Sequence, residues 1–216
     1  ALHGGAPGIE GDKQPGIGGA VAMQEWRTAK TPLVGAIVIA PNQPKDMKRA
    51  WTDQEGGARF IRACLEEVKR GYNVDTNRIY VVGFSLGGFG SWYVGSLMPD
   101  LFAAVSGGGC TPYGVIENLH SLPCWQYWGL KDSHGEYKGY YARKEKELKE
   151  CRSTYGGYEA YLQTYEKLGH GYPPEGHGPI LEVLSERLRD PYPMKVVWKP
   201  AFPSGQRGCY WLWGAK

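Results

Sequence analysis

Arg78-Ile79-Tyr80-Val81-Val82-Gly83-Phe84-Ser85-Leu86-Gly87-Gly88-Phe89-Gly90 is the stretch that decides the fold. Ile79 to Val82 is a short run of β-branched and aromatic residues, the composition of a buried strand. The chain then turns through Gly83-Phe84-Ser85-Leu86-Gly87, and Gly88 to Met98 reads as a small-residue helix. Gly-x-Ser-x-Gly between a strand and a helix is a nucleophile elbow. The serine occupies a strained turn, and the glycines two positions to either side let strand and helix pack closely. A helix that starts at the serine aims its unpaired N–H groups and positive dipole end at the hydroxyl. The five-residue pattern alone is weak in a chain with 32 glycines. The strand before it and the helix after it give it weight.

The chain has 216 residues, enough for one domain with a sizeable core. Its net charge of +3 is small and spread along the sequence. No basic stripe with interleaved aromatics points to nucleic acid, and no apolar run has the length of a membrane span. No leader precedes Ala1, and a cleaved one would leave the same trace, so a secreted or periplasmic location stays open. The five cysteines, Cys64, Cys110, Cys124, Cys151 and Cys209, match no zinc spacing. Cys64 and Cys124 sit in apolar contexts and read as core thiols; a Cys110–Cys124 bridge is the less favoured alternative.

The rest of the chain repeats the strand–helix alternation. Ala1 to Gly8 is a Gly-rich stretch in which His3-Gly4-Gly5 has the form of an oxyanion-hole turn. Alone, that stretch reads better as a flexible terminus. Val34 to Ala40 is a continuous apolar run, suited to a strand buried on both faces of a parallel sheet. Thr52-Asp53-Gln54-Glu55 reads as a capping box, with Ile61, Cys64, Leu65, Val68 and Tyr72 at helical spacing behind it and Gly71 at the end. Further strands are expected at Leu101–Ser106, Pro123–Gly129 and Tyr158–Tyr165, with loops at Gly107–Leu122 and Leu168–Pro174. Helices are expected at Tyr137–Arg152, with a Glu145–Lys149 pair on its solvated face, and at Gly178–Arg189. Met194 to Lys216 is an aromatic-rich tail, with Val196–Trp198 and Tyr210–Trp213 read as short strands. Alternation from Val34 to Arg189 predicts an α/β fold, a doubly wound, mostly parallel sheet with helices on both faces. In such sheets chemistry collects at the carboxyl ends of the strands.

A serine hydroxyl needs a base within hydrogen-bond reach. A histidine serves, and a carboxylate fixes its tautomer and stabilises the imidazolium. After a Gly-x-Ser-x-Gly turn the chain order is serine, carboxylate, histidine. Ser85, Asp132 and His170 obey it, and each falls just past the carboxyl end of an expected strand. Asp100 follows a helix and reads as a turn residue; Glu117 is the serious rival acid. His120 lies at the wrong end of a strand, and His134 is too near Asp132 in sequence. His177 is the serious rival base. His170 is favoured because Gly169 and Gly171 allow a tight loop to present its ring.

Leu2-His3-Gly4-Gly5, Gly83-Phe84-Ser85-Leu86-Gly87-Gly88, Pro99-Asp100-Leu101-Phe102-Ala103-Ala104, Trp128-Gly129-Leu130-Lys131-Asp132 and Gly169-His170-Gly171 together resemble an α/β-hydrolase. The likeness is to bacterial esterases grouped with polyhydroxybutyrate depolymerases, feruloyl esterases and prolyl-oligopeptidase-like enzymes. It covers residues 1 to about 190, leaving 191–216 as a tail or the start of a further element. It implies Ser85 as nucleophile, His170 as base, Asp132 as acid, and oxyanion donors from the N–H groups of Leu86 and Gly5. It implies a serine esterase without metal or organic cofactor, acting on a small-molecule or polysaccharide-linked ester. Trp51 stands where relatives often line the acyl or aryl pocket; a core tryptophan reads equally well. A prolyl-oligopeptidase-like peptidase and a silent hydrolase-fold binding module are the alternatives.

In the hydrolase pattern the His-Gly-Gly turn is reached from a strand lying between those read at Val34–Ala40 and Ile79–Val82. Only Ala1 and Leu2 remain to supply it here. The expectation is a longer polypeptide at both ends, with upstream residues completing the sheet and the turn at Gly5.

Overall fold

The structure, a computed structural model, describes residues 1–2, 4, 36–42, 50–53, 56–133, 137–176, 178–201 and 208–213. Four strands, β1 (Tyr80–Phe84), β2 (Ala104–Gly108), β3 (Cys124–Gly129) and β4 (Ala160–Tyr165), pair in that order, all parallel. Parallel neighbours need crossovers. Helix α2 (Leu86–Leu97) joins β1 to β2, and α3 (Tyr137–Tyr155) joins β3 to β4. Helix α1 (Gly56–Gly71) precedes β1, and α4 (Gly178–Ser185) follows β4. Successive strand residues point to opposite faces, and this divides the core in two. Val81, Val105 and Cys124 pack with Ile61, Trp92, Leu97, Leu148 and Cys151 of α1, α2 and α3. Val82, Ala104 and Tyr127 pack with Ile180 and Leu184 of α4. The expected doubly wound α/β sheet is what forms.

Several boundaries differ from the expectation, each for a local reason. The expected Thr52–Glu55 capping box falls partly outside the described residues. Ala50–Thr52 is a 3-10 turn, and Asp53 Oδ1 accepts the Gly56 N–H at 2.7 Å, so Asp53 caps α1; Glu55 lies outside the described residues. β2 starts three residues after Leu101, because Pro99–Leu101 closes a 3-10 turn behind α2. α4 stops at Ser185 rather than Arg189. Its last carbonyl accepts the Arg78 guanidinium at 3.0 Å, the Tyr80 hydroxyl donates to Arg187 O at 2.9 Å, and the Arg189 N–H donates to Asn77 O at 2.9 Å. With those carbonyls satisfied from β1 and the turn before it, the helix has no need to continue.

The described part of the run at Val34–Ala40, residues 36–40, is not a strand, and Ile37 is 48% exposed. Ala1 and Leu2 lie between this segment and β1. Leu2 bridges Gly83 in parallel and donates to Val82 O at 2.7 Å, and the Ala1 ammonium donates to Ile39 O at 2.7 Å. Among the described residues only Ala1 and Leu2 pair beside this run, and an apolar cavity of about 430 Å³, lined by Leu2, Ile39, Val81 and Leu184 among others, opens beside them. Among the described residues no helix is long and apolar enough to cross a membrane.

Val196–Trp198 is not a strand either. The tail instead binds the body through Lys199, whose N–H and C=O pair with Asn118 Oδ1 at 2.6 Å and Nδ2 at 3.0 Å. Gly208–Cys209 and Leu212–Trp213 form a small antiparallel hairpin. Its Tyr210 N–H donates to Asp100 Oδ2 at 3.3 Å and its hydroxyl to Pro99 O at 3.1 Å.

All five cysteines are free thiols, so the Cys110–Cys124 bridge does not form. Cys124 Sγ donates to Leu122 O at 3.2 Å, and Cys110 Sγ turns to Gln126 Oε1 at 3.5 Å. Burial pushes both thiols well above the ordinary cysteine range. Gln126, fully buried in β3, ties this region together. Its Oε1 also accepts Trp92 Nε1–H at 2.6 Å, and its Nε2 donates to Cys110 O at 2.7 Å and Tyr127 O at 2.9 Å. Gln126→Leu leaves the buried Trp92 N–H without its acceptor. It should cost roughly 1–3 kcal/mol of unfolding free energy by urea titration; an unchanged midpoint and slope would show that the network contributes nothing.

Candidate active site

Ser85 follows β1 directly and precedes the first residue of α2. Its backbone is at φ 55°, ψ −120°, a region that costs a non-glycine residue on the order of 1–3 kcal/mol. The turn closes tightly because Gly83 carries no side chain. A Cβ built there would lie 2.3 Å from Gly87 O and 2.9 Å from Leu2 O. Ser85 N–H donates to Gly108 O at 2.7 Å, which ties the elbow to the end of β2. Ser85 O accepts the Phe89 N–H at 3.0 Å and opens the helix.

The loops after β3 and β4 bring two more side chains to the serine. Asp132, with its side chain buried, accepts from His170: Nδ1 and Oδ2 are 2.7 Å apart. The opposite ring nitrogen, Nε2, is 2.9 Å from Ser85 Oγ. The three residues therefore form one continuous hydrogen-bonded chain, with the carboxylate inside and the hydroxyl at the surface. If Nδ1 carries the proton toward Asp132, Nε2 is left as an acceptor facing the hydroxyl.

The two loops are clipped to each other at Gly129, the last residue of β3. Leu130 N–H donates to Tyr165 O and Lys131 N–H to Leu168 O, both at 2.9 Å, and Asp132 N–H returns to Gly129 O at 3.1 Å. A Cβ on Gly129 would lie 2.3 Å from Leu168 O and 2.4 Å from Gly169 O. Only a glycine lets the histidine loop approach the aspartate loop this closely. In the sequence Gly129 stands out only as part of Trp128-Gly129-Leu130-Lys131-Asp132, and its place three residues before Asp132, at a strand end, is the one signal of this role. The His170 ring also rests against Phe84, with centroids 5.0 Å apart.

The rival acids are engaged elsewhere. Glu117 pairs with Lys199 at 3.0 Å, and that cation helps hold its carboxyl below the ordinary range against the opposing effect of burial. Asp100 receives the tail at Tyr210. His120 packs edge-on against Tyr158 and bonds Ser121 at the other end of the strands, where burial lowers its pKa. His3, His134 and His177 lie outside the described residues, as does Gly5. Gly4 is described: a Cβ there would be 3.3 Å from Ser85 Cβ, so the segment does run against the elbow. Leu86 is the first residue of α2, where N–H groups lack intrahelical acceptors. Trp51 is corrected. It is fully buried, stacks on Phe60 at 6.5 Å, and packs against Gly90, whose added Cβ would sit 2.2 Å from Trp51 Cβ. It belongs to the core between α1 and α2, the second of the two readings its sequence position allows. Among the described residues no group of three or more His, Cys, Asp and Glu side chains is placed to hold a metal ion.

Comparison with known proteins agrees with this architecture. The crystal structure of esterase PE8 superposes with a TM-score of 0.57 over 86% of this chain and 89% of that one, at 20% identity. The fold is that of an α/β-hydrolase. No family model matches the sequence. A bifunctional acetylxylan esterase/xylanase of Neocallimastix patriciarum is 24% identical over 105 residues, 48% of this chain. The match spans only 16% of that protein's length. Zea mays acyl-protein thioesterase 2 superposes more loosely, with a TM-score of 0.47 over 68% of this chain and 69% of that one, at 16% identity.

In this hydrolase fold the Gly129 contact has a measurable consequence. Gly129→Ala should separate the two loops, and the downfield proton resonance of a His170 Nδ1–H···Asp132 bond should weaken or vanish while the protein stays folded. An unchanged resonance would show that the close approach at Gly129 does not set that bond.

Proposed function

We propose that this chain is a serine hydrolase that cleaves a carboxylic ester through an acyl-enzyme on Ser85. The observation that carries the reading is the hydrogen-bonded chain Asp132–His170–Ser85, with contacts of 2.7 and 2.9 Å. In acylation Ser85 Oγ bonds the acyl carbon and its proton moves to His170 Nε2. Collapse of the tetrahedral intermediate breaks the ester C–O bond, and Nε2 gives the proton to the departing alcohol. Water, deprotonated by the same nitrogen, then attacks the acyl carbon; the bond from that carbon to Ser85 Oγ breaks, Nε2 returns the proton to Oγ, and the acid leaves. Asp132 holds the imidazole in the required tautomer and stabilises it when charged. The Leu86 N–H at the start of α2 is proposed as one oxyanion donor and the Gly5 N–H as the other. The acetylxylan esterase named in its partial relative makes acetylated polysaccharide a reasonable first substrate to try.

Ser85→Ala should reduce hydrolysis of p-nitrophenyl acetate to background in a folded protein. His170→Ala and Asp132→Asn should each lower kcat by roughly three orders of magnitude or more, with far smaller changes in KM. Glu117→Gln should stay close to wild type. If Ser85→Ala keeps more than a few per cent of the rate, or if Glu117→Gln is as impaired as Asp132→Asn, the assignment is wrong.

A further inference from the structure

The loop that presents His170 continues as Gly171-Tyr172-Pro173-Pro174. It is held in place from two sides. Gly176 N–H closes a turn onto Pro173 O at 2.8 Å. Glu175 Oε1 accepts the Tyr165 hydroxyl at 2.7 Å, which ties the loop back to β4. Tyr172 lays its ring against Phe84 with centroids 4.4 Å apart, and Phe84 also supports His170 at 5.0 Å. Both rings thus stand on the residue immediately before Ser85. Tyr172 is half-buried, so part of the residue reaches the surface. A Cβ on Gly171, between His170 and Tyr172 in sequence, would meet no atom of the described residues within 4 Å.

The direction of proton transfer says what this part of the loop faces. During acylation the bond between the acyl carbon and the alcohol oxygen breaks, and that oxygen takes its proton from His170 Nε2. It must therefore come within about 3 Å of Nε2. The alcohol half of the ester then extends over the His170 loop, while the carbonyl oxygen points toward the start of α2. The geometry points to Gly171 and Tyr172 as the subsite for the alcohol half. Its occupant is an alcohol with a flat, apolar face, aryl or pyranosyl, laid on the Tyr172 ring. This rests on Ser85 being the acyl acceptor. A ring already packed on Phe84 in a pinned loop loses little freedom on binding, which favours such stacking.

The test uses three acetate esters that share one acyl group: methyl acetate, phenyl acetate and an acetylated xylo-oligosaccharide. Because kcat/KM reports steps through acylation, each ester is compared with itself between wild type and variant, so intrinsic reactivity cancels. Tyr172→Ala removes the stacking face. Gly171→Leu places a side chain beside the Tyr172 ring; the Gly171 backbone is outside the left-handed region, and no described atom lies within 4 Å of the added Cβ. In both variants, checked for folding by circular dichroism, the kcat/KM of the phenyl or glycosyl ester relative to methyl acetate should fall roughly three- to tenfold. A fall for the phenyl ester alone assigns an aryl alcohol, and a fall for the oligosaccharide alone assigns a sugar. Ratios within about twofold of wild type in Tyr172→Ala would overturn the subsite, whatever Gly171→Leu does, because such a change is below what one stacked ring supplies. If wild type hydrolyses none of the three esters, or Ser85→Ala hydrolyses them as well as wild type does, the hydrolase reading fails and the subsite fails with it.

Discussion

Ser85 at φ 55° is the constraint on which the rest of the site depends. A serine does not adopt that conformation unaided; the cost is on the order of 1–3 kcal/mol. It is held from three directions. The strand before it pairs with β2, and Ser85 N–H donates to Gly108 O at 2.7 Å. The helix after it starts with Ser85 O as its first acceptor. The missing side chain at Gly83 lets Gly87 O close in. The strain lifts the hydroxyl off the sheet to where a histidine from another strand can meet it.

That meeting is set by the sheet. β1, β2, β3 and β4 are parallel and in sequence order, so the serine, aspartate and histidine loops leave from the same end. Serine and histidine come from β1 and β4, at the two ends of that order, and the histidine loop must reach back across β3. The contact at Gly129 and the ring of Phe84 position that loop. Beneath the elbow, Gln126 links α2, the loop after β2 and β3 in one buried network. The core thereby fixes the separation of the elements on which the site stands.

The parts legible in the sequence were those with a local signal. Gly-x-Ser-x-Gly between a strand and a helix is such a signal, as is a histidine flanked by glycines after an alternating run. Asp132 could be chosen over Glu117 because it sat at a strand end, and Glu117 instead meets Lys199, 82 positions further along the chain. What could not be read depends on contacts remote in sequence. The apolar run at Val34–Ala40 looks like a buried strand, but a strand needs a partner along its length, and among the described residues only Ala1 and Leu2 lie between it and β1. Trp51 looks the same in sequence whether it faces a pocket or fills the gap over Gly90. The end of α4 is set by Arg78 and Tyr80, more than a hundred residues earlier.

The central claim is that Ser85 is the activated nucleophile. The most direct measurement is labelling of the folded protein with a fluorophosphonate, followed by peptide mass spectrometry. The account predicts a single phosphonyl adduct on Ser85, lost in His170→Ala. A folded protein that takes no label, or takes it on another residue, would contradict it.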